Sequence, residues 1–158
     1  MSSELVLLIA FAIGVVAGLR SLTAPAVVAW AAHSGWIDLH NSALSFMGSI
    51  WSVAIFTILA LVELVGDQLP QAAPRTGAMG LPPRIVTGAL CGACLAQAGG
   101  AALWLGALLG AIGGVIGAFA GYHARVGLVR GLKVSDIAIA IPEDIVAIGL
   151  GIFLASRV

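Results

Sequence analysis

Apolar residues dominate five stretches of the chain: 5–32, 43–66, 84–99, 102–123 and 135–156. About 20 helical residues cross a bilayer core, so each stretch reads as a membrane span. The pattern predicts an all-α, polytopic membrane helical bundle of about five spans. Residues 5–32 exceed one crossing. The excess fits two half-helices, one over 5–18 and one opening at Thr23 as N-cap. Pro25 then falls in the first turn, where a missing N–H does no harm. Residues 84–99 are short, and Gly99-Gly100 is the only turn signal before 102–123, so these two spans form a tight helical hairpin. Loops fall at 33–42, at the Pro- and Gly-rich 71–83, and at the basic 125–136.

Pro142-Glu143-Asp144 lies inside the fifth span. Proline followed by two acids is a helix-start signature, because the ring suits the first position and carboxylates favour the positive dipole end. The fifth span is therefore also expected to be interrupted. Broken helices near Arg20 and Pro142 are the kind of feature that puts polar backbone at a transporter's binding site.

Composition narrows the class. Of 158 residues, 61% are hydrophobic and 9% charged, against about 25% charged in a soluble domain. No water-soluble fold of this size hides so much apolar surface, so residues 1–158 read as one integral membrane domain. Zero net charge argues against nucleic acid as a partner. Met1-Ser2-Ser3-Glu4 lacks the basic start of a cleaved signal peptide, so the first apolar segment reads as retained. Five spans put Arg75, Arg84, Arg125, Arg130 and Lys133 on one side and Arg157 on the other. The positive-inside rule then gives a cytoplasmic N-terminus and an outside C-terminus. Trp30, Trp36, Trp51 and Trp104 fall near the outer ends of their segments, where tryptophan prefers the interface.

Glycines recur every fourth residue at Gly14 and Gly18, at Gly88 and Gly92, at Gly106, Gly110 and Gly114, and at Gly113, Gly117 and Gly121. Small residues at this spacing let helix backbones approach closely. Packing within the chain is the ordinary use, and a homodimer seam is the sharper one. Five thin helices enclose little volume, so a homo-oligomer is expected.

The charges inside the spans carry the candidate chemistry. An arginine at the bilayer centre costs roughly 2.5–3.5 kcal/mol on insertion scales. At 1.5 Å per residue, Arg20 lies about 20–25 Å from the inner surface, Glu143 about 10 Å and Glu63 about 6 Å. Glu143 or Asp144 is thus the better partner for Arg20, while Glu63 and Asp67, one turn apart, line an inner mouth. Ser21 and Thr23 flank Arg20 as secondary candidates. His123, beside Tyr122 and Arg125, is a candidate for proton handling. Cys91 and Cys94 supply half of a tetrahedral soft-metal site, but cysteine is also a common small buried residue. No nucleophile elbow, phosphate loop or H-E-x-x-H occurs, so neither a catalytic residue nor a cofactor is assigned.

With Gly18-Leu19-Arg20-Ser21, the stretch from Glu63 to Pro70, Arg84 and Glu143-Asp144 in view, the chain resembles a bacterial family of small multi-span membrane proteins known as a domain of unknown function. The likeness covers nearly the whole chain. It implies a bacterial inner-membrane location and brings no activity. The leading expectation is a small transporter or channel-like protein for an ion or solute, with the bilayer and a second copy as partners. The alternative is a structural or assembly subunit whose buried charges are internal ion pairs. A membrane enzyme acting on lipid is a third and weaker reading.

Overall fold

The computed structural model describes residues 1–66 and 76–158, and among them the chain is all-α. Six α-helices follow in order: α1 Ser3–Leu19, α2 Thr23–His33, α3 Ile50–Gly66, α4 Leu81–Ala98, α5 Leu103–Leu132 and α6 Asp136–Ala155. A 3₁₀ turn, Ser45–Gly48, precedes α3. Asp67 and Arg75 fall outside the described residues.

Local chemistry explains most boundaries. Ser2 caps α1 by accepting the Leu5 N–H at 3.4 Å, and Glu4 sits at the positive dipole end. Ser49 does the same for α3, accepting the Ser52 N–H at 3.1 Å. Prolines stand in the first turn of α4, where no intrahelical donor is lost. The chain turns from α4 into α5 through Gly99 and Gly100. Gly100 has φ +73°, a conformation costly for any residue with a Cβ.

Among the described residues, two helices, α5 and α6, are long and apolar enough to cross a membrane. α1 and α3 are apolar but only 17 residues long. This corrects the expectation of about five spans. It also removes the multi-pass inner-membrane placement with the N-terminus inside and the C-terminus outside, which rests on that count. The reason is that a run of apolar residues need not be held by one helix. The run 5–32 breaks after Leu19. The run 43–66 gives its first residues to the serine-bonded loop before α3. Arg84 and two prolines dilute the start of α4.

The sixth segment departs in the other direction. α6 runs unbroken through Pro142, so the expected interruption there is absent. A proline removes one i→i−4 bond, and the rest of a 20-residue helix holds across it. α5 likewise continues through Arg125 to Leu132, where a basic loop was expected, and ends with Lys133 in the left-handed region at φ 53°.

The break after Leu19 is a reversal. Arg20 bonds Asp144 and Gly151 approaches Val27, so α2 runs parallel to α6. Leu5 and Ile9 share a groove with Phe153 and Leu154, so α1 runs antiparallel to α6. α1 and α2 therefore form a helical hairpin, and the two expected half-helices do not make one crossing. His33 bonds the Gly48 carbonyl, which brings the start of α3 to the same end. The four tryptophans thus lie at the end that holds the N-terminus, not opposite it. Each is at least half exposed.

Glycine closes the layer of α1, α4 and α5. A Cβ on Gly14 would overlap the Gly110 carbonyl, one on Gly92 the Gly106 carbonyl, and one on Gly117 the Val15 carbonyl. Side chains this small let backbones touch, and dispersion then holds the helices. These faces are used within the chain, so the glycine pattern gives no support to a homodimer seam. Ile13, Val16, Val28, Met47 and Leu95 fill the core. Large apolar side chains also point outward, including Leu8, Ile58, Val62, Val86, Leu108 and Ile145. An apolar surface this extensive marks a face covered by lipid or by protein.

The packing yields a paired expectation. Gly110→Val drives a side chain into the Gly88 carbonyl and should cost about 1–3 kcal/mol or more, as overpacking does. Gly149→Ala meets nothing within 4 Å and should stabilise α6 by about 0.5–1 kcal/mol. Thermal melting in detergent reads both, and equal effects would refute the close-approach account.

Candidate functional site: a buried charge layer at the α1–α2 turn

Arg20 ends α1 with extended backbone, its N–H still bonded to the Val16 carbonyl at 2.9 Å. The turn Arg20-Ser21-Leu22 is short, and Arg20 and Ser21 are buried. Arg20 has no exposed surface. Its Nε donates to Asp144 Oδ1 at 2.5 Å, and Nη2 lies 2.5 Å from the same oxygen. Asp144, just over two turns into α6, is itself buried. The pair joins residues 124 apart in sequence.

Glu63 serves the other side of the turn. Its Oε1 accepts the Ser21 N–H at 2.8 Å and the Ser21 hydroxyl at 2.6 Å. Its Oε2 accepts the Leu22 N–H at 2.8 Å. A carboxylate here meets the positive end of the α2 dipole and satisfies N–H groups that open the helix. Thr23 was expected to be that cap. Instead α2 has no side-chain cap from its own N-cap residue, and the Thr23 Oγ1 is buried without a hydrogen-bond partner among the described residues. A charged acceptor with two oxygens outcompetes one hydroxyl for these donors. The expectation that Glu63 lines an inner mouth gives way to this capping role.

Arg84 completes the layer. It is buried, and it donates from Nε to the Gly18 carbonyl at 3.1 Å and from Nη1 to the Gly80 carbonyl at 2.6 Å. A cation therefore meets the negative end of α1, as an anion meets the positive end of α2. The sequence placed Arg84 only as a topogenic charge at the edge of a span. Its signal was position, since it sits one turn into an apolar helix after two prolines.

Glu143 faces elsewhere. Arg125 Nη1 lies 3.6 Å from Glu143 Oε2, and Arg125 also pairs with Asp136 through two hydrogen bonds. Neighbouring residues on a helix point about 100° apart, so Glu143 ties α6 to α5 while Asp144 ties it to the α1–α2 turn. The structure thus gathers Arg20, Ser21, Glu63, Arg84 and Asp144, and puts Glu143 in a second cluster. His123 is exposed on α5, edge-on to Tyr122. Cys91 and Cys94 are buried in α4, and no group of three metal-ligating residues forms among the described residues.

The sequence pattern described as Domain of unknown function (DUF4126) matches residues 7–156. The chain belongs to this family. Every member of the charge layer lies inside the DUF4126 match. No curated protein and no solved structure matches the chain.

Two results should follow from the geometry. Asp144→Leu alone leaves a buried guanidinium without its carboxylate and should cost about 3–5 kcal/mol, whereas Arg20→Met with Asp144→Leu should recover most of that loss. Additive losses in a melting cycle would refute the coupling. Glu63→Ala strips three donors of their acceptor and should cost about 1.5–3 kcal/mol, the range for hydrogen bonds to a charged group. Ser21→Ala removes only one of the three and should cost less.

Proposed function

We propose that the protein is a structural or assembly subunit at a membrane, with buried charges that lock its helices to one another. The observation that carries this reading is the Arg20–Asp144 pair. A solute site built on Arg20 requires a guanidinium turned toward a ligand, and this one has no exposed surface and is engaged by a buried carboxylate. Glu63 is likewise occupied by the start of α2. Two distant helices, α3 and α6, are thereby fastened to one three-residue turn. A pair of this kind specifies geometry more than it adds stability, which suits a scaffold. The apolar outer faces then supply the surface for lipid or for a partner protein.

Water access to the layer tests the proposal. Single cysteines at Ser21 and Ala24 leave the ion pair intact, in a background with Cys91→Ala and Cys94→Ala. An impermeant thiol reagent should leave both unlabelled in the folded protein and label both after denaturation. Asn41→Cys, on an exposed loop, serves as the reactive control. Labelling of Ser21→Cys in the folded protein would reveal an aqueous path to the charges and overturn the scaffold reading in favour of a solute pathway.

A further inference from the structure

α3 and α6 both pack on α2 and flank a groove of about 360 Å³. Its walls are Val27, Trp30, Leu61, Leu64, Ile148 and Ile152. The volume falls within the range of small-molecule sites, about 300–1,000 Å³, and such sites pair apolar walls with a few placed polar groups. Here the polar residues are Thr23, Ser34 and Thr57, and Thr23 lines the groove at the end next to the charge layer. Its residue is 3% exposed, and its hydroxyl has no hydrogen-bond partner among the described residues. Buried hydroxyls are nearly always satisfied, so an exception calls for an explanation. At the other end of the groove the Trp30 indole N–H is already held by the Thr57 hydroxyl at 3.0 Å.

The geometry points to a lipid-binding site in this groove, taking one acyl chain of a phospholipid along α2 with its ester carbonyl accepting from Thr23. An acceptor is required because a hydrocarbon alone leaves the hydroxyl unsatisfied. The hydroxyl is closed off in this structure, so the inferred contact requires a χ1 turn that exchanges it with the methyl, two positions threonine shares in helices. Size argues against a docked helix. A helix with its side chains is about 10 Å across, much wider than one alkyl chain. A single alkyl chain is narrow enough. Continuity argues for a bilayer lipid as the source, since Leu61 and Ile152 line the groove and are also exposed on the apolar outer surface. A lipid can therefore enter sideways. The inference does not depend on the charge layer being closed to water, and its test reads the groove alone.

The test uses a protein that keeps Trp30 alone, with Trp36→Phe, Trp51→Phe and Trp104→Phe, in detergent micelles. The probe is a phosphatidylcholine carrying a dibrominated stearoyl chain, whose bromines quench a neighbouring indole. Quenching of Trp30 should saturate near one lipid per protein and be reversed by the unbrominated lipid. Thr23→Val should weaken the apparent affinity about five-fold, the loss of one ordinary hydrogen bond. Ala60→Phe should abolish saturation by filling the groove, and Leu61→Phe offers a second filling variant on an exposed wall. Linear, unsaturable quenching that is the same in all variants would overturn the site. Saturation by dibromostearic acid but not by the phospholipid would overturn the lipid assignment and point to a free fatty acid.

Discussion

A guanidinium with no exposed surface must be met by negative charge, and that demand organises this molecule. Asp144 answers it from the opposite end of the chain. Once the pair forms, the position of α6 against the α1–α2 turn is settled, and with it the direction of α2. Glu63 and Arg84 extend the same logic to the backbone. One neutralises the start of α2 and the other the end of α1. The turn is therefore held by charge on both of its helix ends, where unsatisfied N–H and carbonyl groups would otherwise sit in an apolar interior.

Close packing does the remaining work. Glycines at four-residue spacing let α1, α4 and α5 meet backbone to backbone. Contact this close adds dispersion that holds the helices together. The two devices divide the molecule. A glycine-packed layer makes one side, and α2, α3 and α6, pinned through the charged turn, make the other. The groove lies on that second side, where walls of larger residues cannot close as tightly.

The sequence was most legible where the signal was local. The hairpin at Gly99-Gly100, the break near Arg20 and the glycine contacts all follow from neighbouring residues and are present. It misled where a run of apolar residues was equated with a crossing. The stretch 5–32 has the length of a span but is folded back at Arg20, and 43–66 begins in a loop that serine side chains stabilise. Pro142 carried a start signature and sits mid-helix, with α6 held before it by the Asp136–Arg125 pair and after it by the pairs of Glu143 and Asp144.

The sequence by itself determined that the chain is helical, that it is unusually rich in apolar residues, and that the charge of Arg20 needs water or an anionic partner. Only the tertiary structure decided which acid, because Glu143 and Asp144 are adjacent and differ by one step of helix rotation. It also decided that Glu63 caps α2 across a separation of 41 residues, and that Arg84 reaches back 66 residues to α1. Periodicity and capping rules act within a turn or two of helix, whereas these contacts depend on where whole helices come to rest.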